Sequence, residues 1–115
     1  MTTLTPPGVP ERRAGLRRRM QVRARISTAS ADEQLDAHTV DLSAGGVSLV
    51  CPQQLNPGLH CVVELGTGRP ELSDPLTVRA AVCYCVGVAP GQFRVGLQFI
   101  DLSDADAQLI AAMLG

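Results

Sequence analysis

Apolar and polar residues alternate in one stretch near the start of the chain. Between residues 18 and 28, polar positions, mostly arginine, alternate with apolar ones at Met20, Val22, Ala24 and Ile26. Residues two apart on an extended backbone share a face, so this pattern predicts a half-buried strand. Five further strand-like runs, separated by turn residues, lie at 35–42, 47–51, 60–65, 76–88 and 93–100. This spacing predicts an all-β dominated fold built on a small six-stranded antiparallel β-barrel.

The C-terminal segment has a helical period instead. Ser103 is a suitable N-cap, and Asp104 and Asp106 place carboxylates in the first turn, where they favour the positive end of the helix dipole. Apolar residues then recur at helical spacing, at Ala105, Leu109, Ala112 and Met113. We predict one C-terminal α-helix over 103–114 whose apolar stripe covers an open end or side of the barrel.

The length of the chain sets its domain organisation. With 115 residues it can form one hydrophobic core but not two, so we expect a single domain. Prolines and a glycine in residues 1–10 predict a flexible lead. The domain is expected over 11–115, with an arginine-rich arm at 11–17, the barrel at 18–100 and the helix after it.

Charge is distributed unevenly along the sequence. Residues 1–25 hold seven arginines and one acid, whereas the remaining ninety residues hold three arginines and ten acids. No lysine is present, so every positive charge is a planar guanidinium suited to bidentate contact with phosphate or a guanine edge. Aromatic residues make up only 3% of the chain, so any stacking on a base would fall mainly to arginine. A solvated tail is the simplest interpretation of such a run, but this run leads directly into the first predicted strand.

No metal, disulfide or targeting pattern is visible in the sequence. The four cysteines form no C-x-x-C pair, and Cys83 and Cys85 lie in an apolar run where cysteine acts as a small hydrophobe. Two histidines at these spacings do not match a zinc site. There is no signal-peptide pattern and no apolar run long enough to span a bilayer. We therefore expect a cytoplasmic protein with no metal, no cofactor and no membrane partner.

The stretch DLSAGG at residues 41–46 joins the second and third predicted strands. Asp41 and Ser43 should face outward together while Leu42 packs inward. An ionised aspartate only accepts hydrogen bonds, so its natural partner offers two adjacent donors, such as the N1–H and N2–H of guanine. Gly45 and Gly46 can adopt positive φ and leave the backbone unobstructed. Taken alone, D-x-S-x-x-G is also typical of an ordinary turn between strands.

A second motif precedes the first strand. Arg13 and Arg17 form R-x-x-x-R, with Arg12 directly before it, and Asp41 follows Arg17 by 24 residues. In this order and separation the two motifs resemble those of the PilZ domain, the bacterial receptor module for cyclic di-GMP. The resemblance extends from about residue 11 to residue 114 and includes the last predicted strand, QFRVGLQF at 92–99.

The resemblance implies a split barrel whose arginine-bearing segment closes over a cyclic dinucleotide. Arg13 and Arg17 would contact guanine O6 and N7, phosphate and the purine faces. Asp41 would take the Watson–Crick edge of a guanine and Ser43 a phosphate or base edge, while the ligand approaches the backbone at the glycines. A second arginine at Arg12 is associated in the family with a stacked pair of ligand molecules. The implied cyclic di-GMP site comprises Arg12, Arg13, Arg17, Asp41, Ser43, Gly45, Gly46 and Gly96, with Tyr84 either near the ligand or in the core.

The predicted function is therefore a second-messenger receptor that signals to an unidentified downstream protein. No nucleophile–base pair, carboxylate pair or P-loop can be assembled, so cyclic di-GMP would be sensed and not turned over, and no catalytic residue is predicted. Two alternatives stay open. One is a PilZ-like interaction module that no longer binds ligand. The other is a small barrel that binds nucleic acid through its basic arm, which the acidic body and scarce aromatic residues oppose, so no nucleic-acid partner is expected.

Overall fold

A computed structural model describes residues 17–28, 34–68 and 75–115 as seven β-strands followed by one α-helix. The lead and most of the arm, including Arg12 and Arg13, lie outside these ranges. In chain order the elements are β1 Arg18–Arg19, β2 Arg23–Thr28, β3 Gln34–Ser43, β4 Gly46–Cys51, β5 His60–Leu65, β6 Leu76–Ala89, β7 Gln92–Ile100 and α1 Asp104–Leu114.

Six of the strands close into a barrel. Their order is β3-β2-β5-β6-β7-β4, and β4 pairs again with β3, with every pairing antiparallel. The predicted six-stranded antiparallel barrel is thus confirmed. The short β1 is an addition to it and pairs with β3, where Arg18 lies opposite Leu42 and Arg19 opposite Asp41.

The predicted first strand, 18–28, is interrupted at residues 20–22 because Thr39 inserts its side chain there. The Thr39 hydroxyl is buried, accepts a hydrogen bond from the Val22 N–H at 2.9 Å and donates one to the Met20 carbonyl. The pairing of β2, in which Arg23 lies opposite His38, would place Arg19 opposite Leu42 if it continued. Arg19 instead lies opposite Asp41, so the register has shifted by one residue. A shift of one residue exchanges the two faces of a strand, and it sets how β1 approaches Asp41.

The core lies inside the barrel and beneath the helix. Alternate positions of the strands point inward, and the largest fully buried side chains are Ile26, Leu42, Leu49, Leu65, Leu76, Ile110 and Met113. The last two belong to α1, which contacts β3 and β6, so the predicted covering role of the helix is confirmed. The predicted stripe is wrong in part, because Ile110 and Met113 are the buried residues whereas Ala105 and Ala112 are exposed. Ser103 caps α1 by accepting from the Asp106 N–H at 3.0 Å. Within the described ranges, no helix is both long and apolar enough to cross a membrane.

Candidate ligand-binding site

A row of four positions crosses four neighbouring strands on the outside of the barrel. Asp41 of β3 lies opposite Ser48 of β4, Ser48 lies opposite Gly96 of β7, and Gly96 lies opposite Tyr84 of β6. Directly opposed residues share a face of the sheet. Leu42, the next residue after Asp41, is buried, which confirms the predicted inward and outward directions in this stretch. Barrel closure therefore gathers side chains that are far apart in the sequence.

The Asp41 carboxylate is the point on which these side chains converge, and it is only 15% exposed. Its Oδ1 accepts a hydrogen bond from Arg17 Nη1 at 2.9 Å and another from Ser48 Oγ at 2.9 Å. Its Oδ2 accepts from Arg94 Nη2 at 3.5 Å, and the same Nη2 lies 3.4 Å from Ser48 Oγ. One hydroxyl and two guanidinium groups thus surround a single negative charge.

The two arginines around Asp41 differ in how they are held. Arg17 precedes β1, and its side chain is 61% exposed. Arg94 lies within β7, two residues before Gly96, and therefore faces the same side of the sheet. Its Nε is buried and has no hydrogen-bond partner among the described residues. The site consequently has one arginine anchored in the barrel and one that is largely in solvent.

The turn after Asp41 contains the remaining motif residues, and here the predicted reason for the glycines is wrong. Positive φ among the described glycines occurs at Gly58, Gly68, Gly91 and Gly115, and not at Gly45 or Gly46. A Cβ on Gly46 would lie 2.2 Å from the Leu97 carbonyl oxygen, so the close approach of β7 requires glycine there. A Cβ on Gly45 would meet no atom within 4 Å, which leaves that turn unobstructed. Ser43 Oγ donates to the Gly46 carbonyl at 3.3 Å.

Gly96 serves the packing of Tyr84. A Cβ on Gly96 would lie 2.1 Å from Tyr84 Cε2, so the phenol ring lies directly over this glycine. Tyr84 is 42% exposed, which removes it from the core and places it on the surface that carries Asp41. The backbone of Gly96 is therefore covered by a side chain, whereas Gly45 is open.

Ser48 and Arg94 were not identified from the sequence, although each left a signal there. Ser48 is a polar residue within the apolar run Val47–Cys51, and Arg94 is the one charged residue of β7. Neither belongs to R-x-x-x-R or D-x-S-x-x-G. Arg94 and Asp41 are 53 residues apart, so only the pairing of β4 with both β3 and β7 brings them together.

The chemistry available elsewhere is limited. Burial raises the pKa of the Cys61 thiol to about 11, and burial also raises the pKa of Cys51, so neither thiol ionises near neutral pH. No group of three histidine, cysteine or acidic residues in the described ranges is placed to hold a metal ion. An open groove of about 420 Å³ lies over β2, β3 and β5 and shares no lining residue with the Asp41 cluster.

The fold and the site together define a small β-barrel module that presents a carboxylate between arginines on its outer sheet. The PilZ domain family model matches residues 11–115, and the chain belongs to the PilZ domain family. This is a family of cyclic di-GMP receptors, and PilZ domains are binding modules. No curated protein matches the chain.

Solved structures with the same fold are distant in sequence. The PilZ domain of YcgR from Escherichia coli, solved with cyclic di-GMP, aligns with a TM-score of 0.69 and 13% identity over 86% of each chain. The Bacillus subtilis inhibitor of motility MotI/DgrA gives 0.70 and 16%, over 86% of this chain and 47% of that one. The PilZ domain of CeSA from a cellulose-synthesizing bacterium gives 0.63 and 13%, over 86% and 94%. The chain thus spans about half of the motility inhibitor but most of the isolated PilZ domains.

Proposed function

We propose that this protein is a receptor for cyclic di-GMP, and the observation that carries the proposal is the Asp41 carboxylate fixed on the barrel surface between Arg17 and Arg94. A guanine edge offers N1–H and N2–H side by side, and a carboxylate accepts both. The two nearby guanidinium groups are suited to the phosphates and to guanine O6 and N7. The membership in a family of cyclic di-GMP receptors supports the same ligand.

Other motif residues complete the proposed site. Arg12 and Arg13 lie outside the described residues, and we assign them to phosphate contact and purine stacking on the strength of the motif alone. Ser43 and Gly45 lie at the open turn beside Asp41, where a ligand can approach the backbone. Gly46 and Gly96 support the site indirectly, since each allows a close contact within the barrel.

The proposed signal passes from the arm to a downstream protein. Two ligand phosphates can neutralise the repulsion among the arm's arginines and draw residues 11–17 toward the barrel. The surface presented by the arm would then differ between the free and the bound protein. This difference is what a protein partner would recognise.

A second candidate is a PilZ module that interacts with a protein without any ligand. One observation favours it: the Asp41 carboxylate already has three donors within the chain, so it is satisfied without a nucleotide. In that case Arg17 and Arg94 would stabilise the surface around Asp41 and would not contact a base.

Isothermal titration calorimetry separates the two candidates. The receptor should bind cyclic di-GMP saturably, with one ligand or a stacked pair per chain, and should bind cyclic di-AMP poorly because adenine lacks the donor pair. Repeating the titration at two salt concentrations with a polynucleotide tests for a general basic arm, whose affinity should fall steeply with salt. If cyclic di-GMP gave no heat of binding at any concentration, the receptor would be refuted and the interaction module favoured.

A further inference from the structure

The hydrogen-bonding capacity of the Asp41 carboxylate limits how a guanine can reach it. A carboxylate has about four lone-pair sites, two on each oxygen. Arg17 and Ser48 both use Oδ1, and Arg94 uses Oδ2. A guanine edge that contacts both oxygens needs one site on each. Oδ2 still has a site open, whereas Oδ1 is fully used, so one of its two donors must leave.

Burial decides which donor leaves. Ser48 is 2% exposed, and its backbone is fixed directly opposite Asp41 by the pairing of β4 with β3. Arg17 is 61% exposed and precedes the two-residue strand β1. Withdrawing an exposed guanidinium into water costs little, because exposed ion pairs contribute little to stability. The Ser48 hydroxyl would instead lose its acceptor in a place that water barely reaches.

Ser48 and Arg94 also determine the plane of the carboxylate. The terminal torsion of an aspartate is broad, so an unheld carboxylate samples many orientations. Here Ser48 holds one oxygen and Arg94 holds the other. The contact from Arg94 Nη2 to Ser48 Oγ adds to this, because a hydroxyl that accepts from arginine is left to donate its single proton to Asp41.

We propose that Ser48 and Arg94 are positioning residues that orient the Asp41 carboxylate for a guanine edge, and that Arg17 occupies the guanine's place on Oδ1 until the ligand displaces it. The inference rests on the proposed function. A guanidinium and a guanine edge both present N–H donors from a flat group, which is why one can replace the other. The released Arg17 is then available for the phosphate or the O6 and N7 of the same ligand.

The test compares Ser48→Ala and Arg94→Gln with wild type, using cyclic di-GMP and its inosine analogue, which lacks the 2-amino donors. Wild type should favour cyclic di-GMP. In each variant the affinity for cyclic di-GMP should fall roughly tenfold, the effect of losing one hydrogen bond to a charged group. The preference over the inosine analogue should fall with it, since a rotating carboxylate no longer accepts two donors at once.

Matched controls exist on the same barrel. Ser27→Ala removes a hydroxyl that contacts Gln34, and Arg79→Gln removes a guanidinium that pairs with Asp101. Both controls should keep the affinity and the preference of wild type. Equal weakening for both nucleotides, together with a lower Tm, would show that Ser48 and Arg94 serve only the fold and would overturn the positioning role.

A measurement without ligand separates this inference from the receptor proposal. Crystal structures of the ligand-free proteins should show one orientation of the Asp41 carboxylate plane in wild type and several orientations in Ser48→Ala and Arg94→Gln. If that holds but cyclic di-GMP does not bind, the receptor proposal fails alone. If a single orientation of the carboxylate plane persists in both variants, the positioning role fails whatever the ligand data show. The displacement also requires that Arg17 contacts Asp41 in the free protein, so the NMR signal of the Arg17 Nε–Hε group should shift in Asp41→Asn. An unchanged signal would overturn the displacement.

Discussion

Replacing Asp41 with alanine removes the acceptor on which three donors converge, and the structure gives the size of the effect on stability. The Arg17 pair is largely exposed and contributes about 0.2–1 kcal/mol. The Ser48 hydroxyl is buried and loses its acceptor, which costs about 1–2 kcal/mol. We expect the free energy of unfolding of Asp41→Ala to fall by about 1–3 kcal/mol.

The loss of ligand affinity in Asp41→Ala should be smaller than the full free energy of the contact between Asp41 and guanine. One good bidentate base contact contributes about 1–3 kcal/mol of discrimination. Wild type must first release the exposed Arg17 pair, at a cost of about 0.2–1 kcal/mol, whereas the alanine variant need not. A net loss of about 1.5 kcal/mol follows, or roughly tenfold in Kd. At a general anion site the sign is opposite, because deleting a carboxylate beside a phosphate removes repulsion.

Calorimetry of wild type and Asp41→Ala with cyclic di-GMP and cyclic di-AMP measures this, at one fixed ionic strength because exposed charges are screened by salt. Asp36→Ala is the matched control: it removes the same charge from the same strand, and the Asp36 carboxylate is 93% exposed. The control should bind like wild type. Equal affinity of wild type for the two nucleotides, or tighter cyclic di-GMP binding by Asp41→Ala, would refute the guanine-reading role.

Four further outcomes can be checked with the same protein. Arg17→Lys keeps the charge but loses the planar fork, so calorimetry should show weaker cyclic di-GMP binding; wild-type affinity would make Arg17 a simple counter-charge. Amide exchange in residues 10–20 should slow when ligand is added, and unchanged protection with ligand bound would contradict closure of the arm. Gly46→Ala should lower the free energy of unfolding by about 1–3 kcal/mol because the methyl group meets the Leu97 carbonyl, whereas Gly45→Ala, in open space, should not; equal denaturation midpoints would count against this. Because burial raises the pKa of Cys61 from about 9 to about 11, the unfolded chain loses that proton first, so stability should decline as pH rises across that window. Cys61→Ala should show a shallower decline in denaturant titrations, and an identical slope would refute the assignment.

Much of the fold follows from the period of the sequence. Alternation marked the first predicted strand, and strand-like runs between turn residues marked the other five within one residue of their observed limits. The helix was marked by its Ser103 cap and by its change of period. Asp41 and Ser43 were found because their spacing of two is read directly from the chain.

The rest depends on contacts that no local pattern encodes. The interruption between β1 and β2 arises because the Thr39 side chain takes the place of backbone partners, and the sequence there still alternates. Ser48 lies seven residues from Asp41 across the turn between β3 and β4, but Arg94 reaches Asp41 only because β4 pairs with both β3 and β7. Glycine is required at position 46 because the Leu97 carbonyl lies close to it, and not because its φ is positive. The sequence shows that a glycine is there but does not show this contact.

Tyr84, whose ring lies over Gly96, can serve as an intrinsic fluorescent probe of this surface. The chain has one tyrosine and no tryptophan, so its near-ultraviolet emission comes from a single ring. That ring lies in the same cross-strand row as Asp41, three strand spacings away, or about 14 Å. It is held from below by β7 and remains open to solvent above. A change in polarity or a purine arriving near this surface therefore alters the whole fluorescence signal, and titrations can be followed without attaching a dye.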